Sequence, residues 1–281
     1  MYKAYKSGAD LQREIDKTKV ASDSIAFWSL GQSGIILKGN QEDGWISIDP
    51  YLTNSIEMEN PDTEFKRVSP PVLEPSMLKN IDGVVATHHH DDHLDLATLN
   101  TVANASENTL FVVPAASKNL LGELSRKTLT AKADNPFLIK GFKLTPVAAA
   151  HTEYEVDDEG NDVYLGYFIE VNGVRLYHSG DTVITATLIE KVKAFKPHIA
   201  FLPINGGDFF RTSRGVIGNM SFREAVDFSV EVGVDLIVPI HYDLFPTNRE
   251  NPAYFVDYLF HTYPTQKFHM MVQGERFIYH K

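Results

Sequence analysis

The sequence predicts an α+β fold, a two-layered β core with helices outside and a site gathered along one rim. Three observations carry that prediction. Several apolar runs of strand length each stop on a histidine or an aspartate. Helical candidates and hairpin turns separate those runs. A dense cluster, His88-His89-His90-Asp91-Asp92-His93, follows the apolar run 81–86 and contains the pattern His-x-His-x-Asp-His. Scattered residues of ligand type can meet only where a fold lines up its strand ends at one edge.

The elements follow in chain order. Leu11, Ile15 and Val20 recur at helical spacing, so 8–20 reads as a helix within an N-terminal extension over 1–20. Residues 25–30 and 35–37 read as strands joined by the turn Gly31-Gln32-Ser33-Gly34, and 45–49 as a third strand closing on Asp49. The segment 53–75 is polar and Pro-rich, a long loop of the kind that is often functional. Behind the His cluster, 94–105 reads as a helix, 109–114 as a buried strand and 116–124 as a second helix. Strand-like runs then end before His151, Asp181 and His241, and a further run over 199–204 ends at Asn205 and Gly206. Helices are expected at 186–195, 221–231 and 252–263, the second opened by Ser221 with Glu224 three positions on, a capping box.

Bulk properties narrow the function classes. The 281 residues, 43 % hydrophobic and 22 % charged, suit one substantial core and a single domain over 1–281. A formal charge of −11 argues against a nucleic-acid partner or an anionic membrane, which are gripped by clustered Lys and Arg. With no cysteine, disulfides and thiolate ligands are excluded, and any metal has only nitrogen and oxygen donors. Residues 1–6 lack a secretory h-region and no apolar run approaches a membrane span, so a cytoplasmic location is expected.

Neutral imidazoles and carboxylates at alternate positions of a tight turn are what Zn²⁺, Mn²⁺ or Fe²⁺ accept, so the His cluster predicts metal binding. A merely hydrophilic, His-rich loop is the competing reading.

With Asp49, the segment 87–93, His151, Asp181 within Ser179-Gly180-Asp181-Thr182, and His241 in that order, the chain resembles the metallo-β-lactamase superfamily. The resemblance implies a four-layer αββα sandwich and two divalent metal ions, Zn or Mn, with Fe admitted. It implies that His88, His90 and His151 hold one ion and that Asp92, His93 and His241 hold the other, with Asp181 bridging. Asp49 would support a ligand imidazole, and His178 stands close enough to Asp181 to do the same. The segments 25–31, 85–88, 176–181 and 214–220 are similar to the L-ascorbate-6-phosphate lactonase group. That likeness tilts the metal toward Mn²⁺ and makes a homo-oligomer plausible. Where that group often has an aromatic hydroxyl three residues past the bridging Asp, this chain has Ile184, and Tyr242 is the candidate substitute.

The expected activity is hydrolysis of a small anionic ester or lactone, such as a sugar-phosphate lactone, by a metal-bound hydroxide, with Asp92 as catalytic carboxylate. Arg211 and Arg214, in a Gly-flanked loop after a strand end, are candidates to clamp the substrate's anion, with Lys66 and Arg67 weaker ones. The alternatives are a phosphodiesterase or nuclease of the same fold, a thiolesterase, and a non-catalytic metal-binding module.

Overall fold

The run Ile25-Ala26-Phe27-Trp28 is apolar at every position because both of its faces are covered. In the computed structural model, which describes residues 3–281, Ile25 and Phe27 point into the core between two sheets, while Ala26 and Trp28 point outward under helices. Alternation along a strand with both faces buried produces this continuous hydrophobicity.

The first sheet takes β1 (Ser24–Gly31), β2 (Gly34–Lys38), β3 (Trp45–Ile48), β4 (Gly83–Val85), β5 (Leu110–Pro114) and β6 (Thr128–Ala131) in sequence order. The first three run antiparallel, and β3 to β6 pair in parallel. The second sheet takes β7 (Phe137–Ile139), β8 (Phe142–Ala148), β9 (Leu165–Val171), β10 (Val174–His178), β11 (Ile199–Pro203), β12 (Leu236–Ile240) and β13 (Lys267–Phe268), again in order. The last strand, β14 (Arg276–His280), returns to the first sheet and pairs antiparallel with β1.

Between the sheets lies one buried cluster that includes Ile48, Val85, Leu144, Tyr167, Phe201 and Val238. Outside the first sheet, α1 (Gly8–Lys17) and α3 (Leu96–Ala105) bury Leu11, Ile15, Leu99 and Val102 against Trp28, Ile36 and Val84. Outside the second, α4 (Ala186–Phe195), α6 (Phe222–Val232) and α7 (Pro252–Thr262) bury Leu188, Val226, Phe228 and Phe255. The four layers are therefore helices, sheet, sheet, helices, as the resemblance implies. The expected box at α6 is present in both directions, Ser221 Oγ accepting from Glu224 N and Glu224 accepting from Ser221 N.

Several expectations are corrected. The segment 115–127 is not an α-helix but a run of 3₁₀ turns broken at Gly122, whose φ of 53° is left-handed. The long loop over 53–75 contains a short helix, α2 (Ser55–Glu59). The helix expected from residue 94 begins at Leu96, because Asp95 caps it by accepting from Ala97 N. Met1 and Tyr2, at the start of the segment read as lacking an h-region, lie outside the described residues. Among the described residues, no helix is long and apolar enough to cross a membrane.

Candidate metal centre

Strand ends deliver the site. β3 ends at Ile48 and the next residue, Asp49, turns left-handed at φ 48°. β12 ends at Ile240, and His241 does the same at φ 56°. Asp and His both tolerate this region better than most residues, though it is uncommon for any side chain but glycine's. Gly180, at φ 59°, brings the loop before Asp181 so close that an added Cβ would lie 2.7 Å from Leu165 O and 2.9 Å from Thr87 Cβ. No side chain fits there.

The structure brings all seven predicted ligands together, in two groups. One donor atom from each of His88, His90, His151 and Asp181 lies within 4.8 Å of the others, and the same holds for Asp92, His93 and His241. Asp181 faces both groups. Its Oδ1 is 3.4 Å from His93 Nε2, and its Oδ2 is 3.1 Å from His241 Nε2 and 3.6 Å from His151 Nε2. Asp92 Oδ2 lies 3.5 Å from His241 Nε2 and 3.6 Å from His93 Nε2.

These residues fit cations. His93 Nε2 and Asp181 Oδ1, which face each other across the site, are buried without a hydrogen-bond partner, a costly state for polar atoms. His88 Nε2 and His90 Nδ1 stand 3.0 Å apart. Two imidazole nitrogens on a tetrahedral ion with bonds of ~2.0–2.1 Å stand about 3.3 Å apart.

Burial pushes the imidazoles of His88 and His90 down, the latter to about 4, so both are neutral bases as ligation requires. Burial also opposes charge on His93 and His241, but Asp181 and Asp92 outweigh it and raise both, His241 to about 9. A bound cation takes the place of those protons as counter-charge to the carboxylates.

Asp49 supports both groups. Fully buried, it accepts from Thr87 N at 2.8 Å, Thr87 Oγ1 at 2.7 Å and His93 Nδ1 at 2.7 Å. A carboxylate only accepts, so His93 carries its proton on Nδ1 and presents the Nε2 lone pair to the site. Thr87, having given its proton to Asp49, accepts from His88 Nδ1 at 3.0 Å and fixes that ring the same way. His178 acts at one remove. Its Nε2 meets Ser33 O at 3.0 Å and its Nδ1 accepts from Gly180 N at 3.2 Å, tying the β1–β2 turn to the loop that carries Asp181.

Gln32, buried at φ 54° in the turn read only as a turn, also belongs here. Its Nε2 donates to Asp92 Oδ2 at 2.8 Å and lies 3.1 Å from His241 Nε2, while Asp243 Oδ1 accepts from its backbone N. The only sequence signal was a polar amide inside a Gly-rich turn at a strand end.

Residues 44–242 match the family described as Beta-lactamase superfamily domain. The chain belongs to the metallo-β-lactamase superfamily. Within that superfamily it is 30 % identical over 194 residues to a UPF0173 metal-dependent hydrolase of Methanoculleus marisnigri, covering 66 % of this chain and 76 % of that one. It is 24 % identical to the probable L-ascorbate-6-phosphate lactonase UlaG of Salmonella heidelberg, covering 87 % of this chain and 77 % of the relative. Among solved structures it shares the fold of Igni18, a metallo hydrolase of Ignicoccus hospitalis. The TM-score is 0.66 at 22 % identity, over 92 % of this chain and 99 % of that one.

As a metallo-β-lactamase relative, the chain carries a cavity of about 330 Å³ over the two groups, reached by His90, Asp92, His151, Asp181 and His241. The predicted substrate residues border this lining without being part of it: Arg214 and Tyr242 adjoin the lining residues Gly215 and His241, and Arg211 bonds the lining Asn248. Arg211 is drawn back by Asp208, the cap of the short helix α5 (Phe209–Thr212), and donates to Asn205 O and Asn248 Oδ1. Arg214 pairs with Glu64 of the 53–75 segment at 3.6 Å, linking two loops. Tyr242 packs against the outer apolar cluster of the second sheet. The weaker candidate Arg67 lies over the Tyr51 ring and donates to Ser69 O and Thr53 O.

Proposed function

We propose that the chain hydrolyses a carboxylic ester or lactone at a dinuclear centre held by the two groups. One observation carries the reading: seven buried or half-buried imidazoles and carboxylates converge beneath a cavity that five of them line, with Asp181 between the groups. The coarser statement, a metal-dependent hydrolase of the metallo-β-lactamase superfamily, follows from the family and its relatives. The ester or lactone is supported by the likeness to the lactonase relatives.

Divalent cations held by these residues would supply the acidity that brings a water toward a pKa of about 7 and the Lewis acidity that polarises a carbonyl. The chain's own residues do the rest. Asp92, at the cavity wall beside His93 and His241, would orient that water and pass its proton to the leaving oxygen. The water oxygen bonds to the carbonyl carbon, and the carbon–oxygen bond to the leaving group breaks. Asp49 holds the His93 ring directly and the His88 ring through Thr87, so these two need little reorganisation.

The test is elemental analysis of the purified chain, followed by activity screens on lactones, esters and phosphodiesters with Mn²⁺ or Zn²⁺ restored. His90→Ala should lose bound metal and turnover together. Unchanged turnover in that variant rejects the site, and turnover of phosphodiesters alone rejects the reaction class.

A further inference from the structure

Resting on the hydrolase reading above, we infer that the substrate is a neutral molecule whose non-reacting part is apolar, held by Ile56, Phe65, Val216, Ile217 and Phe245. These five side chains share the part of the cavity that the ligands do not line with His89, Asp91, Gly215 and Asn248. They come from three segments: Ile56 and Phe65 from 53–75, Val216 and Ile217 from the loop before α6, and Phe245 from the segment after β12. Phe65 and Phe245 meet edge to face at 5.6 Å, so that wall is a packed aromatic surface.

Away from the ligand set, and among the described residues, the cavity offers an anionic substituent no cationic Lys or Arg, only the Asn248 amide, His89 and the backbone of Gly215. The nearby guanidinium groups are committed elsewhere: Arg211 to Asp208 and Asn205 O, Arg214 to Glu64, and Arg67 to the backbone of Thr53 and Ser69. The lining charge outside the ligand set is Asp91, an exposed carboxylate that would repel a phosphate. The net charge of −11 works in the same direction at longer range. Holding a phosphate takes donors such as Arg forks or backbone N–H groups, whereas apolar walls gain from burying methylenes. The segment that supplies Val216 and Ile217 also exposes Phe209 and Phe210, so its apolar character extends beyond the lining residues. The anionic substrate expected from the sequence rested on Arg211 and Arg214 and on the likeness to the lactonase group, and neither arginine itself lines the cavity.

The experiment uses the full chain loaded with Mn²⁺ or Zn²⁺ and two parallel series. In the first, kcat/KM is measured on γ-lactones with lengthening alkyl tails and on lactones bearing a carboxylate or phosphate tail. It should rise about fourfold per methylene until the cavity is filled, the ~0.8 kcal/mol of a buried CH₂ converted at 1.4 kcal/mol per decade. In the second, binding of alkyl hydroxamates is compared calorimetrically with that of succinic monohydroxamate, which carries the same chelating head and a charged tail. Alkyl tails should bind at least tenfold tighter. Phe65→Ala should flatten the length dependence. Because Phe65 also packs on Phe245, Ile217→Arg, at a partly exposed position, gives a second arm and should shift preference toward the charged tail. A flat response to tail length, or a charged tail bound as tightly as an alkyl tail of equal length, overturns the inference. If no lactone or ester is turned over while the hydroxamates rank as expected, the hydrolase reading fails and the apolar recognition stands.

Discussion

Replacing Asp49 with Asn tests whether one carboxylate sets the ligand geometry of both groups. The side chain is fully buried and takes three hydrogen bonds, two from Thr87 and one from His93 Nδ1. Asn keeps the shape, keeps an acceptor for Thr87 N and tolerates the left-handed backbone at φ 48°. What it loses is the second accepting oxygen. An amide N–H₂ in its place faces His93 Nδ1–H, so His93 turns to the other tautomer and puts a hydrogen where its Nε2 lone pair was needed. Thr87 then loses the acceptor for its hydroxyl proton, and the ring of His88 is freed with it.

Removing such a support costs about 10–100-fold in metal affinity, or about 1.4–2.7 kcal/mol. Here the loss should fall on both groups, because His88 belongs to one and His93 to the other. Competition against a chelator of known affinity, with the two ions resolved by stoichiometry, reads this directly. Thr87→Val separates the two arms: it keeps the Asp49–His93 bond and should weaken only the group containing His88. Asp49→Ala is the less useful variant, since it strands three buried donors at ~1–3 kcal/mol each. That sum rivals the ~5–15 kcal/mol by which whole domains are stable. Wild-type affinity for both ions in a folded Asp49→Asn protein would refute the reasoning.

Three further outcomes follow from the same geometry. Chelating the metal should lower Tm by about 5–10 °C relative to protein held at a hundredfold excess over Kd, because that excess contributes ~2.7 kcal/mol and each kcal/mol moves a chain of this size ~2–4 °C. A scanning calorimeter checks it, and an unchanged Tm would mean the ligands hold nothing in the folded state. Gly180→Ala should destabilise by more than ~1 kcal/mol and displace Asp181, since its Cβ would meet Leu165 O at 2.7 Å; bound metal should fall in step with denaturation midpoint. Gln32→Gly should leave stability within about 1 kcal/mol, as relief at φ 54° offsets the added freedom of the unfolded chain, yet weaken the ion beside Asp92 roughly tenfold. Chemical denaturation and metal titration of the same sample separate the two effects.

Much of the fold was legible because the interior strands are buried on both faces and read as unbroken apolar runs. Helix bounds were equally plain: α4 spans Ala186–Phe195 as expected, and Ser221 with Glu224 opens α6. The strands that escape such a reading are instructive. β6 and β14 are the two edges of the first sheet, and β7 and β13 are the two edges of the second. Edge strands are short and half-exposed, so Thr128-Leu129-Thr130 or Lys267-Phe268 carries little apolar signal. β9 lies inside its sheet and is apolar, but it ends on no residue of ligand type and so escapes a search keyed to such endings. At the site, the seven candidate ligands were readable as His and Asp at strand ends. What their neighbours do was not. Nothing in Gly31-Gln32-Ser33-Gly34 says that the amide reaches Asp92. Nor does an Arg in a Gly-flanked loop declare that an Asp three positions earlier will hold it, as Asp208 holds Arg211.

Gln32, Asp49, Gly180 and His241 share a feature that explains why the site sits at this rim. All four have left-handed backbone, at φ 54°, 48°, 59° and 56°, and each stands in the turn that follows a strand of one sheet or the other. A strand arriving at the edge points its side chains alternately into the two cores. Reversing the chain within one residue swings the next side chain into the space between the sheets instead. For the three residues that are not glycine, this costs ~1–2 kcal/mol each. Two hydrophobic cores and the interlocked bonds of Asp49, Thr87 and Asp243 hold the strained turns in place. The strain is thus the cost of aiming donors inward from opposite sheets, and it falls on residues whose side chains touch the ligands or are ligands. A loop free to relax would place the same imidazoles in water, where each would find hydrogen bonds and none would need a cation.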